Sequence, residues 1–358
     1  MTVTPLLTCV LTASGDDVGD ALQSLDALLA LEAEDIEVVL VDHGLDDATH
    51  DLLRNRSFPR LRLLRMAPAP RASARNRGMA HARGQRLCVL NPGDTLTPFT
   101  LSSIRKTDAD CLFLPGICRD TNGLVHPGPG QAVFDWLVGA SLESADTSDP
   151  RFSTMASRLA LLPPLPGRCV VGRDFVQRHN LAFAHEGASS WLFVTGVLMN
   201  ADSLALADLP SVVHCRERAP YEADAITVLN DAAQALSLMQ RARHFQDPAL
   251  RLALLGAVFH QLHGFEAALS PDTRRDFRNA CALVLARSDP RLIRMLAIET
   301  RRPITDAFSF CAPWLGDALD YAQELSELLK QADEPERMPR QSAIARLSAW
   351  RWGRSRGS

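Results

Sequence analysis

Two aspartates stand at the ends of short apolar runs. Leu87-Cys88-Val89-Leu90 is too short for a helix, follows Gly84 and runs into Asn91-Pro92-Gly93-Asp94. It predicts a buried strand with Asp94 just past its carboxyl end. Ile36 to Val41 is continuous and β-branched, and predicts another strand that ends at Asp42. In open α/β sheets the ligand crevice lies outside the carboxyl ends of the strands, where an acid can hold a metal or a sugar hydroxyl. Asn-Pro-Gly-Asp is also a good turn in its own right, proline presetting φ and glycine accepting positive φ. The pair His185-Glu186 invites a metal reading, but adjacent residues do not point the same way and the H-E-x-x-H spacing is missing. A solvated loop pair is the plainer account of it.

The elements that must position these residues alternate in type. Residues 6–12 predict a strand, residues 18–31 a helix after the loop Ser14-Gly15-Asp16-Asp17, and residues 61–66 a weaker third strand. Asp46 or Asp47 can cap a helix through Leu52-Leu53, and the alanine-rich stretch 72–83 predicts a helix leading into the Leu87 strand. Strands alternating with helices at this spacing give an α/β fold with a mostly parallel sheet covered on both faces. Residues 109–116 predict a further strand and Asp120-Thr121-Asn122-Gly123 a tight turn. From Pro127 to Pro166, prolines, glycines and serines surround one short helix over 133–138, as expected of an excursion that carries binding loops.

After a short strand over 211–214 the periodicity becomes helical, at 226–239, 250–262, 274–285 and 304–329. Asp247-Pro248, Ser270-Pro271, Asp289-Pro290 and Arg302-Pro303 are helix-start signals. The expected organisation is an α/β domain over 1–220, an all-α domain over 221–332 and a basic tail over 333–358. His260 and His263, close together on one helix, are expected as ordinary core or surface histidines. The tail carries arginines interleaved with Trp350 and Trp352. That composition suits contact with an anionic membrane surface, and equally a solvated terminus.

With 358 residues the chain is long enough for two domains, and its 46% hydrophobic content is that of a soluble globular protein with a sizeable core. A net charge of -4 gives no reason to expect a nucleic-acid partner. Among the 38 basic residues only Lys106 and Lys330 are lysines, a bias that points to a GC-rich bacterial genome. The 8 cysteines are scattered without a C-x-x-C pair, which predicts buried free thiols, a reducing cytoplasm, no structural zinc and no disulfide framework. The N-terminus lacks a basic n-region, and no run approaches the roughly 18 apolar residues of a membrane span.

The order of segments resembles the nucleotide-sugar-binding half of the family 2 glycosyltransferases, which have the GT-A fold. That family shows a first strand, then V-D-x-G-S-x-D, then A-R-N-x-G, then L-D-x-D-D with a proline four residues on. Here stand Val41-Asp42-His43-Gly44-Leu45-Asp46-Asp47, Ala74-Arg75-Asn76-Arg77-Gly78, and Leu90-Asn91-Pro92-Gly93-Asp94 followed by Pro98. The resemblance covers the first third of the chain well and residues up to about 220 more loosely. It implies a Rossmann-like GT-A sheet, followed here by the helical domain. It also implies inverting transfer of a sugar from a nucleotide-diphosphate donor, a UDP-sugar above all, to a hydroxyl acceptor such as a glycan or a lipid-linked sugar. The setting would be surface-polysaccharide or secondary-metabolite synthesis in the cytoplasm; peripheral contact at the inner membrane face is an expectation from the composition of the tail alone.

The resemblance also assigns roles. Asp42 would accept the imide N–H of a uracil-like base. Arg75 and Asn76 lie near a helix start, where backbone N–H groups and the dipole favour a diphosphate, and Thr12 and Asn91 complete the donor contacts. Asp94 matches the last acid of L-D-x-D-D and would hold Mn2+ or Mg2+, hard cations suited to oxygen ligands. Asn91 and Gly93 replace the two acids before it, so less negative charge faces the metal. The family's general base, an aspartate in a Glu-Asp pair before an aromatic-rich helix, falls on Ser189-Ser190, and serine cannot act as that base at neutral pH. Two accounts compete. Either His185 or Glu186 supplies the base from one loop turn away, or the chain is a degenerate transferase that serves as a binding or scaffold protein.

Overall fold

The computed structural model describes residues 4–31, 34–55, 58–119, 123–184, 190–215, 225–241, 247–286 and 298–332. The chain divides into two compact units, Met1–Met155 with Leu162–Ala219, and Ala156–Leu161 with Pro220–Ser358. In chain order the elements are β1 (Leu7–Ala13), α1 (Val18–Leu29), β2 (Ile36–Asp42), α2 (Asp47–Arg54), β3 (Leu61–Arg65), α3 (Arg71–His81), β4 (Arg86–Leu90), β5 (Thr95–Leu96), α4 (Phe99–Arg105), β6 (Cys111–Phe113) and β7 (Gly116–Arg119). There follow β8 (Val125–Pro127), α5 (Gln131–Gly139), β9 (Ser144–Asp146), α6 (Phe152–Leu159), β10 (Cys169–Gly172), α7 (Arg173–Arg178), α8 (Trp191–Asn200), β11 (Ser203–Leu206) and β12 (Val212–Cys215). The helical part comprises α9 (Ala225–Arg241), α10 (Pro248–Ala267), α11 (Pro271–Ala286), α12 (Ile298–Phe308) and α13 (Trp314–Ala332).

The first unit is built on an eight-stranded sheet in the order β3-β2-β1-β4-β10-β6-β11-β9. Strands β3, β2, β1 and β4 run parallel, as do β6 and β11, while β10 and β9 lie antiparallel to their neighbours. Every residue of β1 and β2 is buried, which is why both read as unbroken apolar runs rather than alternating ones. Helix α3 lies directly on this sheet: a Cβ at Gly78 would stand 2.3 Å from Val10 Cγ1, so only glycine lets the helix approach so closely. A second sheet, β5-β12-β7-β8, stands beside it. The thiols of Cys9 and Cys88 are buried in the first core, and burial pushes that of Cys9 up to about 12.

Several boundaries differ from those expected. Residues 109–116 form two strands in different sheets, because Pro115 cannot donate to a ladder and the chain turns there. The stretch 127–166 follows β8 and holds α5, β9 and α6 as well as loops. The run 304–329 is two helices, separated by residues 309–313, where Pro313 disfavours helix in the residue before it. Pro303 lies inside α12 instead of starting a helix, at the cost of one backbone bond. Asp289-Pro290, Asp120 to Asn122 and the tail from Asp333 lie outside the described residues.

In the second unit Asp247 caps α10, accepting from the Leu250 N–H at 2.7 Å with Pro248 at the first helical position. His260 stacks on Trp314 and His263 on Tyr321, so both are packing residues. Arg158 of α6 belongs here, its guanidinium 4.3 Å above the Phe308 ring and bonded to the Ala307 carbonyl. Among the described residues no helix is long and apolar enough to cross a membrane.

Candidate active site

Register places the site. Leu11 of β1 pairs with Leu40 on one side and Leu90 on the other, and Ala13 pairs with Asp42, so Thr12, Asp42 and Asn91 reach the same edge within one residue of each other. Strand order reverses between β1 and β4, and at such a switch point the flanking loops part and leave a crevice. A cleft of about 490 Å³ opens along this edge, lined by Asp42, Gly44, Leu45, Arg65, Met66, Ala67 and Pro68.

Asp42 is buried and held on both oxygens. Its Oδ1 accepts the backbone N–H groups of Gly44 and Leu45 at 3.1 and 2.9 Å. Its Oδ2 lies 2.7 Å from Nδ1 of His50 on α2 and 3.4 Å from Nε of Arg65. Arg65 makes its shorter contact, 2.5 Å, to Asp47. The aspartate is therefore both a turn-former and a fixed acceptor at the crevice wall, its Arg65 side being the looser one.

Asn91 to Asp94 form the expected turn. Asp94 N–H donates to the Asn91 carbonyl at 3.0 Å, and Gly93 has φ 90°, a conformation that glycine tolerates and an aspartate does not readily adopt. Gly93 N–H is anchored on Ser24 Oγ at 2.8 Å. Asn91 Oδ1 accepts from Arg75 Nη2 at 2.7 Å, and Arg75 Nη1 reaches Ser190 Oγ at 3.4 Å. Arg75 is wholly buried, its guanidinium 5.0 Å from the centre of the Phe183 ring. Burial, with Arg71 adding repulsion against the pull of Asp94 and Asp17, lowers it to about 9, so it stays charged at neutral pH. The amide of Asn76, expected to contact the donor, bonds the Phe183 backbone in both directions, at 2.9 Å each, and so fixes the chain at Phe183. Thr12 Oγ1 is buried and has no hydrogen-bond partner among the described residues.

Asp94 is only 3% exposed, and Nδ1 of His214, from β12 of the second sheet, lies 3.4 Å from its Oδ1. Neither ring nitrogen of His214 makes a hydrogen bond among the described residues. No group of three or more His, Cys, Asp or Glu able to hold a metal occurs among those residues. Mg2+ and Mn2+ sites commonly combine one or two carboxylates with substrate phosphates and water, so Asp94 with a vacant imidazole beside it fits such a cation.

Of the residues expected to contact the donor, Thr12, Asp42 and Asn91 thus lie at the strand ends with Asp94, expected at the metal, just beyond; Arg75 reaches Asn91 from α3, and Asn76 of the same helix bonds Phe183. His185, Glu186 and Ser189 lie outside the described residues. Sequence reasoning missed His50, Arg65 and His214. His214 has no local signal, being about 120 residues from Asp94 in a strand of another sheet. His50 could have been suspected from its place on the helix that follows Asp42.

Residues 19–115 match the model of the family described as glycosyl transferase family 2. No curated protein matches the sequence. Among solved structures, S. aureus TarS 1-349 in complex with UDP-GlcNAc is similar, with a TM-score of 0.64 and 14% identity over 91% of this chain and 91% of that one. The same protein in complex with UDP gives 0.61 at 14% identity and the same coverage. The longer S. aureus TarS structure gives 0.61 at 14% identity, over 90% of this chain and 55% of that one.

Proposed function

We propose that this chain is an inverting glycosyltransferase with a UDP-type donor and a hydroxyl acceptor, a reading supported by the match of residues 19–115 to the model of glycosyl transferase family 2 and by the GT-A fold of the first unit. The observation that carries the reading is the gathering of Thr12, Asp42, Asn91 and Asp94 on one strand edge at the switch point, beside a crevice large enough for a nucleotide. The UDP and UDP-GlcNAc held by the similar structures support the choice of donor.

Asp42 offers Oδ2 to the imide N–H of the base, Arg65 remaining on Asp47. Arg75 fixes Asn91 and with it the turn that carries Asp94. Asp94 and His214 would hold a divalent cation, which when bound offsets the charge of the departing diphosphate. The acceptor hydroxyl attacks the anomeric carbon as the bond to the diphosphate breaks, and its proton passes to a base, for which His185 and Glu186 are the candidates in sequence. An acceptor in surface polysaccharide or secondary-metabolite synthesis, and peripheral membrane contact through the arginines and tryptophans of 333–358, complete the proposal.

A second reading, a donor-binding protein without transfer, is favoured by one observation: Ser190 is buried and turned onto Arg75 where the family has its acid. The test of the main reading is a thermal-shift and donor-hydrolysis screen of nucleotide sugars, with Mn2+ and with EDTA. UDP or a UDP-sugar should stabilise the protein more with Mn2+, and Asp94→Ala should abolish that difference while leaving the fold intact. Equal shifts with Mn2+ and EDTA in the wild type would remove Asp94 from the metal role. No shift with any nucleotide would refute the donor assignment.

A further inference from the structure

Arg168, just before β10, is 1% exposed, and none of its three nitrogens has a hydrogen-bond partner among the described residues. A guanidinium carries five N–H donors and is among the costliest groups to bury unsatisfied. Other buried arginines in this chain are bonded: Arg75 to Asn91, Arg158 to the Ala307 carbonyl. The surroundings of Arg168 steady its charge without using its donors. The Phe134 ring centre lies 5.6 Å from Cζ, and a contact across a ring face leaves the in-plane N–H directions unspent. Nη1 lies beside Gly130, 3.2 Å from where a first side-chain carbon would stand. Burial lowers the group to about 10, while Cys169, Cys118 and Asp94 draw it back towards the charged form.

The position explains what such a group could be for. Arg168 follows Gly167, where a Cβ would stand 3.5 Å from Asp94 Oδ2, and the charge of Asp94 acts on the guanidinium, so the residue lies near the strand-end turn while its guanidinium packs on Phe134 and Gly130. Near that turn Arg75 and Arg168 bring two positive charges against the one of Asp94, Arg71 and Asp17 being paired with each other at 2.6 Å, and the acids that the family carries at the positions of Asn91 and Gly93 are replaced. The excess is cationic and calls for an anion. A planar fork of donors matches the paired oxygens of a phosphate or a carboxylate.

We propose that Arg168 binds an oxyanion carried by the donor. This rests on the donor-binding reading above and names the residue that meets the donor's negative charge on the protein side. The oxyanion is either a diphosphate oxygen or a carboxylate on the sugar, and the two are separable.

The test uses the full chain in EDTA, so that metal plays no part, and titrates pyrophosphate, UDP, UDP-glucose and UDP-glucuronate by calorimetry against wild type, Arg168→Met and Arg168→Gln. With a diphosphate as the ligand, Arg168→Met weakens pyrophosphate and UDP binding at least tenfold while the melting temperature holds or rises, since an unpaired buried charge has been removed. With a sugar carboxylate as the ligand, pyrophosphate and UDP bind as before and only a preference for UDP-glucuronate over UDP-glucose disappears. Arg168→Gln carries the same comparison if the methionine variant does not fold. Unchanged binding of all four ligands overturns the proposal, and so does a lowered melting temperature in both variants, which would make Arg168 a structural residue. If the wild type binds pyrophosphate through Arg168 but no nucleotide, the transferase reading falls and the oxyanion site stands. If nucleotides bind equally well without Arg168, the reverse holds.

Discussion

In the helical unit Glu266 is buried with its carboxylate engaged, accepting from Arg278 Nε at 3.0 Å and from the Tyr321 hydroxyl, whereas in the sheet unit Arg168 and His214 are buried with no hydrogen bond to their guanidinium and ring nitrogens among the described residues, His214 standing 3.4 Å from Asp94. Glu266 and Tyr321 belong to different helices and tie α10 to α13, and Arg278 adds α11. Among the described residues no such hydrogen-bonded tie holds Arg168 or His214. Polar groups buried for stability find protein partners, because an unmade bond costs more than a made one gains. Buried groups whose bonds are unmade among the described residues, as proposed above for Arg168, are suited to partners that are not part of the chain. The comparison separates two kinds of mutational effect: loss of rate or affinity in the first unit, loss of stability in the second.

The largest effect expected is on rate. If the chain transfers sugar, Glu186→Gln or His185→Ala should slow transfer by about 10²- to 10⁴-fold, or roughly 3 to 5 kcal/mol of barrier, with donor affinity and melting temperature unchanged. Ser190→Asp supplies the contrast, since a carboxylate there would face Arg75. Transfer that is absent in the wild type and appears in Ser190→Asp would mean a kept donor pocket with lost chemistry. Equal transfer in all four proteins would eliminate both accounts of this loop.

The opposite pattern is expected from Glu266→Ala. The Tyr321 hydroxyl would be left buried without its acceptor, while Arg278, part-exposed, can turn to water. A loss of about 2 kcal/mol in denaturant unfolding is expected, with donor affinity at the wild-type value. A change in donor affinity at constant stability would contradict the division of roles between the units.

Much of the first unit was legible because its strands are buried on both faces and so stand out as apolar runs, with Asp42 and Asp94 marking their ends. Of the two readings of Asn91-Pro92-Gly93-Asp94 the turn is present in the structure, and it leaves Asp94 buried just past the end of β4. What could not be read was whatever depends on pairing between distant segments. Residues 169–172 enter the sheet antiparallel between β4 and β6, and nothing local in Cys169-Val170-Val171-Gly172 announces it. Arg168 and His214 owe their place to that pairing and to β12. Asn76 was legible as part of a motif but not as a clamp on Phe183, a contact 107 residues away. In the helical unit the proline rule held at Pro248 and Pro271 and failed at Pro303, because one proline signal serves both for a start and for a tolerated interior position.

The smallest effect tests the helical side of the comparison at a single bond. Asp247 Oδ1 accepts the Leu250 N–H at 2.7 Å, closing one of the donors that the first turn of α10 leaves unpaired, and Pro248 removes another by having no N–H at all. Asp247→Ala should therefore lower stability by about 1 kcal/mol, while Asp247→Ser, which keeps an acceptor at the cap, should restore most of it. Helix α10 carries Glu266 at its far end, so a frayed first turn should leave the Glu266 contacts intact and the two losses should add in the double variant. Additivity in urea unfolding would mark the cap as a local contribution to a unit held by many such bonds. A double-variant loss well below the sum would mean that the first turn and the Glu266 cluster loosen together. The helical unit would then depend on that one buried carboxylate far more than its packing suggests.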